Sequence, residues 1–151
     1  MKIRLIIQKQ YENPEIHICC SEENEETRSL QSRLENILLR KLVVYRDNRV
    51  ESVPVADAVR IYAADKKVYV RTAENIYEIR ERLYTLEQQL SDSGFVRISN
   101  SEIVNTASIQ KLDMGLAGTI KMHMRNGDIT YVSRRYVSTI RKKLIKTEDV
   151  K

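Results

Sequence analysis

The chain has 151 residues, 42% of them hydrophobic and 31% charged, with a net charge of +5. That length suits one compact domain with a small appendage, and the balance excludes a disordered chain. No apolar run nears the roughly 20 residues a membrane-spanning helix needs, and the first residues lack the apolar core and cleavage site of a secretory signal.

Residues 2–9 alternate about Ile3, Leu5 and Ile7, and residues 15–20 follow a turn at Asn13-Pro14, so two short strands are expected. Cys19 and Cys20 are adjacent. Neighbouring cysteines rarely bridge and no second pair completes a zinc site, so they read as one inward and one outward residue of a strand in a reducing cytoplasm. Ser21 is placed to cap a helix with Glu22, Glu23, Glu25 and Glu26 in its first turns and Leu30, Leu34, Ile37 and Leu38 on one face. "LVVYRDNRVESVP" predicts a hairpin turning at Asp47-Asn48, and Pro54 then opens a short turn through "VADAV". Residues 60–62 and 67–72 pair about the loop 63–66, and Ala73-Glu74-Asn75 turns the chain again.

Ile79, Leu83, Leu86 and Leu90 trace a second amphipathic helix, ended by Ser91-Asp92-Ser93-Gly94. Phe95-Val96-Arg97-Ile98 then alternates as a half-buried strand, Ser99-Asn100-Ser101 interrupts it, and Ile103-Val104 resumes it. Those three small polar residues either cap a turn or include one that points outward and reads a ligand. Residues 119–125 and 128–133 form a hairpin about Asn126-Gly127, two positions that tolerate positive φ. A last helix begins near Arg134 and uses Val137, Ile140 and Leu144.

No catalytic constellation is visible. His17 and His123 lie in alternating segments without ligand-spaced partners, and four glycines leave no nucleotide-cradling loop. No metal, cofactor or small-molecule substrate is expected. The charge is more telling. Residues 91–151 hold eleven Lys/Arg against six Asp/Glu, so the whole basic excess lies there, while the remainder of the chain balances. Such a segment suits an anionic partner. With Ser133 as cap, Arg134 and Arg135 occupy the first turn of the last helix, where the macrodipole disfavours cations by about 0.3–1 kcal/mol. Helix stability does not explain them, whereas a phosphate or a base edge does. On "KMHMR", Met122 and Met124 face one side and leave Lys121, His123 and Arg125 on the other, either a solvated face or a phosphate-contacting stripe.

"FVRISNSEIVNTASIQKL" and "MRNGDITYVSRRYVSTIRKKL" together resemble the second half of the LytTR DNA-binding domain of bacterial transcription regulators. Phe95, Val96, Arg97, Ser101, Val104 and Asn105 fill its first motif; Gly127, Ser133, Arg134, Arg135 and Tyr136 fill its second. The preceding hairpins and helix are similar to its first half, so the likeness covers about residues 45–148. Many members have His-Arg before the motif serine, where this chain has Ser99-Asn100.

The resemblance implies a mainly β, elongated α+β fold that lays loop side chains into successive major grooves of double-stranded DNA. It implies base contacts from Asn100, Arg135 and either Lys66 or Lys67, with Ser99 and Ser101 turning the backbone and Arg134, Lys121, His123 and Arg125 positioning it on phosphates. It implies a cytoplasmic, non-enzymatic regulator, dimeric on repeated half-sites, and a small inhibitory membrane protein as partner. Residues 1–44 are expected as a strand-strand-helix segment that dimerises or regulates, too short for a receiver domain, with 45–148 binding DNA and 149–151 a tail. The rival reading is an interaction module whose basic C-terminal face docks an acidic protein.

Overall fold

The computed structural model describes residues 4–145, apart from the side chain of Ile37. Ile3, that side chain and the 149–151 tail therefore lie outside the described residues. The chain divides into a unit ending at Leu34 and a unit starting at Glu35.

The first unit departs from expectation. Residues 4–24 contain no strand. Leu5, Ile6 and Ile7 are all exposed, Leu5 and Ile7 at 87% and 86%, so the alternation has no buried side. A strand needs a neighbour for its N–H and C=O groups, and among the described residues none pairs with this segment. Cys19 and Cys20 are both exposed free thiols, not an inward and an outward strand residue. Helix α1 (Glu25–Leu39) is capped by Asn24 instead of Ser21. The Thr27 N–H donates to Asn24 Oδ1 at 3.0 Å and the Asn24 N–H donates to Thr27 Oγ1 at 2.9 Å, a reciprocal capping box. Glu25 and Glu26 occupy the first turn, where the helix dipole favours them.

The second unit is mainly β. Its elements are β1 (Lys41–Arg46), β2 (Arg49–Pro54), β3 (Arg60–Ala64), β4 (Lys67–Arg71), β5 (Ile76–Ile79) and α2 (Leu83–Leu90). There follow β6 (Phe95–Ser99), β7 (Glu102–Asn105), β8 (Ile109–Met114), β9 (Ile120–Met124), β10 (Ile129–Val132) and α3 (Arg134–Ile140), which runs into a π-helical turn at Arg141–Ile145. A seven-stranded sheet has the order β2-β1-β5-β4-β3-β7-β6, and a three-stranded sheet the order β10-β9-β8.

Two cores result. Val44, Ile61, Val70 and Ile79 pack with Leu86 and Leu90 of α2 on one face of the large sheet. Val96, Ile98 and Val104 pack with Ile120, Met122, Met124 and Ile140 beneath the small sheet and α3. Neighbours Ile103 and Val104 enter different cores, which is why β7 is apolar on both faces. Met122 and Met124 are buried as their alternation predicted, and Val137 and Leu144 pack against the same core as Ile140.

Two strands were not anticipated. Ile79 belongs to β5, opposite Val68, and its four-residue spacing from Leu83 only coincides with a helical period. β8 pairs with β9 through an irregularity between Ile109 and Lys111. That shift leaves Ile109 and Leu112, three apart, as its partly buried residues, so the two-residue alternation is lost.

Three of the hairpin turns fall into two kinds. The β1–β2 and β3–β4 hairpins share one geometry: Asp47 and Asn48 have φ of 50° and 62°, Asp65 and Lys66 of 50° and 63°. Both are two-residue turns with left-handed residues at both positions. The β9–β10 turn differs from expectation, because Gly127 (φ 91°) takes positive φ and Asn126 does not. The Gly127 N–H donates to the Met124 carbonyl at 3.0 Å and the Met124 N–H to the Asp128 carbonyl at 2.8 Å, a type I turn closed by a glycine bulge.

Candidate nucleic-acid interface

The turn between β6 and β7 closes on its own serines. The Ser101 N–H donates to Ser99 Oγ at 3.2 Å, and the two hydroxyl oxygens lie 3.3 Å apart. Arg97 braces the turn from below. Its Nε donates to the Ser99 carbonyl at 2.6 Å, its Nη2 to the Asn100 carbonyl, and its Nη1 to Glu87 Oε2 of α2 at 2.7 Å. The Asn100 side chain projects into solvent, and its Oδ1 accepts a hydrogen bond from the Tyr136 hydroxyl at 3.2 Å.

Backbone bonds gather three loop tips. The Ala63 N–H donates to the Ser101 carbonyl at 2.7 Å, setting the β3–β4 hairpin beside the Asn100 turn. The Ser133 N–H donates to the Ile98 carbonyl at 2.9 Å, fixing the start of α3 against β6. Ser133 is the residue before the helix, as expected, but its side chain makes no capping bond. Lys66 stands exposed at the hairpin tip, whereas the Lys67 Nζ is engaged by Glu78 Oε2 at 3.1 Å, a contact that raises the lysine pKa. Arg134 and Arg135 are exposed in the first turn of α3, with the Arg135 guanidinium 5.9 Å from the centre of the Tyr136 ring. Among the described residues, Lys66 and Arg134 have no hydrogen-bond or ion-pair partner.

At the end of the β3–β4 hairpin opposite its tip lies a polar clasp between the two sheets. Asp128, in the β9–β10 turn, receives Arg60 Nε at 3.0 Å and Arg71 Nε at 3.2 Å. Arg60 Nη1 also reaches Glu102 Oε1 of β7 at 3.0 Å, and the Thr130 hydroxyl of β10 donates to Glu102 Oε2 at 2.9 Å. Burial opposes the charge of Asp128, yet hydrogen bonds from Arg71, Arg60 and Asn126 outweigh it and hold the carboxyl below its usual range. The sequence carries no local sign of this clasp, because its partners stand between 28 and 68 residues apart.

The β9 stripe is divided. Lys121 and His123 face outward, with Asp113 of β8 opposite Lys121. His123 Nε2 lies 2.6 Å from Asp113 Oδ2, a bond that lowers the Asp113 pKa. Arg125 lies about 13 Å further along the strand than Lys121, at the end away from α3. There its N–H donates to the Ser108 carbonyl at 2.8 Å and its Nε to the Ala107 carbonyl at 3.2 Å. The fold thus brings Lys66, Asn100, Arg134 and Arg135 together and leaves Arg125 apart. Sequence reasoning assigned no part to Arg97 as a brace. An arginine one residue before a strand's last apolar position, followed by three small polar residues with free carbonyls, was its one available signal.

A mainly β unit that gathers basic loop tips defines a class of ligand-binding module, and comparison with known proteins specifies it. Residues 48–145 match the LytTr DNA-binding domain family. The chain belongs to that family. It is 32% identical over 145 residues to an uncharacterised HTH-type transcriptional regulator of Staphylococcus aureus strain MSSA476, covering 95% of this chain and 98% of the relative. The counterpart in strain NCTC 8325 shows the same identity and coverage. The LytTr DNA-binding domain of a Bacillus cereus protein superposes with a TM-score of 0.65 at 28% identity, over 68% of this chain and 94% of that one. The relatives' names specify a helix-turn-helix; among the described residues here the three α-helices are separated by strands.

Proposed function

We propose that the chain is a bacterial transcription regulator that binds specific double-stranded DNA in the cytoplasm, laying loop side chains into successive major grooves. The observation that carries this reading is the gathering of the three tips by the Ala63–Ser101 and Tyr136–Asn100 hydrogen bonds, with Lys66, Asn100 and Arg135 all directed outward. Arg135 offers the forked donor that matches guanine O6 and N7, and Asn100 offers an amide to a base edge. Lys66 supplies the third base contact from the hairpin tip, and Arg134 and Lys121 suit phosphate oxygens, which fix register without reading sequence. Lys67, His123 and Arg125 already hold partners within the protein, so their share in binding is smaller.

A homodimer on paired half-sites fits the first unit, whose Leu5, Ile6, Ile7 and Ile16 lie exposed in a single copy. The mass of the full chain in solution checks this directly. Gel shifts with promoter DNA at two salt concentrations test the main reading. A complex that survives random competitor duplex and weakens steeply with salt supports it. Equal affinity for random duplex would instead favour docking of an acidic protein on the basic C-terminal face.

A further inference from the structure

Resting on the reading of Asn100 as a base contact, we propose that Tyr136 is a positioning residue that fixes which end of the Asn100 amide meets the DNA. An asparagine amide is two-faced: Oδ1 accepts and Nδ2 donates, and half a turn about its last bond exchanges them with almost no change of shape. Packing therefore does not choose between the two; hydrogen bonding does. Here the Tyr136 hydroxyl meets Oδ1 at 3.2 Å. A phenol is a better donor than acceptor, because its oxygen lone pairs are shared with the ring. The start of α3 and the guanidinium groups of Arg134 and Arg135 make that side electropositive, which also favours the amide oxygen there.

The consequence is a rule for readout. With Oδ1 turned towards α3 and engaged, Nδ2 is the end left for the base. The two-bond adenine contact needs both ends of the amide turned to the base; Oδ1 keeps a second lone pair, but held towards α3 by the Tyr136 hydroxyl it is turned away from the groove. The base position facing Asn100 must then present an acceptor. Purine N7 in adenine and guanine and O4 in thymine all meet that need, whereas cytosine presents an amino donor there and is rejected. The ring of Tyr136 also lies beside Arg135. A phenylalanine in its place keeps that contact and removes only the hydroxyl.

Selection from a pool of random duplex DNA, followed by sequencing, tests this with the wild-type chain, Asn100→Ala and Tyr136→Phe. The expected result is one position where the wild type accepts adenine, guanine and thymine and excludes cytosine, and where Asn100→Ala removes the preference. Tyr136→Phe should weaken the exclusion of cytosine at that same position by about two- to tenfold, since the amide is then free to turn. Its other positions and its melting temperature should match the wild type. If Asn100→Ala flattens the position while Tyr136→Phe leaves it unchanged, the positioning role is overturned and the base contact stands. A wild type that selects adenine alone also overturns it. If Asn100→Ala changes no position, the base contact itself fails, and this inference fails with it.

Discussion

Two pairs of arginines in this molecule show how little a charge count says about function. Arg60 and Arg71 sit about one fifth exposed, at 22% and 20%, and share the carboxylate of Asp128. Arg134 and Arg135 stand exposed at the start of α3, with no carboxylate against them among the described residues. All four contribute equally to the net charge of +5, yet the first pair is neutralised inside the fold and the second faces outward. The first pair holds the two sheets in register. The second is available to an anion. The same side chain becomes structural or functional according to what the fold sets opposite it.

The comparison can be broken most forcefully at Asp128. Asp128→Ala leaves two partly buried guanidinium groups without their shared partner and should cost about 2–4 kcal/mol of stability in denaturant titrations. The base preference of the protein that remains folded should be unchanged. Because the folded state holds this carboxyl below its ordinary range, its stabilisation is fully present above the unfolded value and is lost as pH falls through the lower folded value. The stability gap between wild type and Asp128→Asn should therefore be flat near neutrality and close below about pH 4.

On the outward pair the expected losses fall on binding, not on folding. Arg135→Ala should cost about 1–3 kcal/mol on the specific site and little on random duplex, at an unchanged melting temperature. Arg134→Ala should weaken both kinds of complex by similar factors and lower the salt slope by roughly one unit. Equal behaviour of the two variants would show that they do not divide reading from positioning. The smallest effect sharpens the rule from the other side. Glu78→Gln frees Lys67 from its partner; stability should stay at the wild-type value, because so exposed a pair is screened by solvent. Affinity for any duplex should rise slightly at low salt, a gain that high salt removes.

Much of this was legible in the sequence. The Asp47-Asn48 and Asn126-Gly127 turns, the burial of Met122 and Met124 and the apolar face of α3 follow from local rules, because each depends on residues a few positions apart. The paired motifs also marked the Asn100 turn and Arg134-Arg135. Other features resisted for equally physical reasons. The alternation of Leu5 and Ile7 promised a strand, but alternation describes a face and does not supply a neighbour to pair with. β8 hid behind a bulge, and β5 behind a spacing shared with a helix. The clasp and the Tyr136–Asn100 bond join residues distant in the chain, which only the folded topology brings together.

The twin hairpin turns leave a trace of history. At the second left-handed position one turn carries Asn48 and the other Lys66. Asparagine visits that conformation readily, whereas lysine has no such aptitude and carries a strain of about 1 kcal/mol there. Selection for a sturdy fold alone would drift Lys66 towards asparagine or glycine and lose nothing it could detect. On the proposed reading, contact with DNA offsets that strain by rewarding the lysine's charge. Among descendants in which the regulator has fallen idle, that loop is where release from duty would first be written.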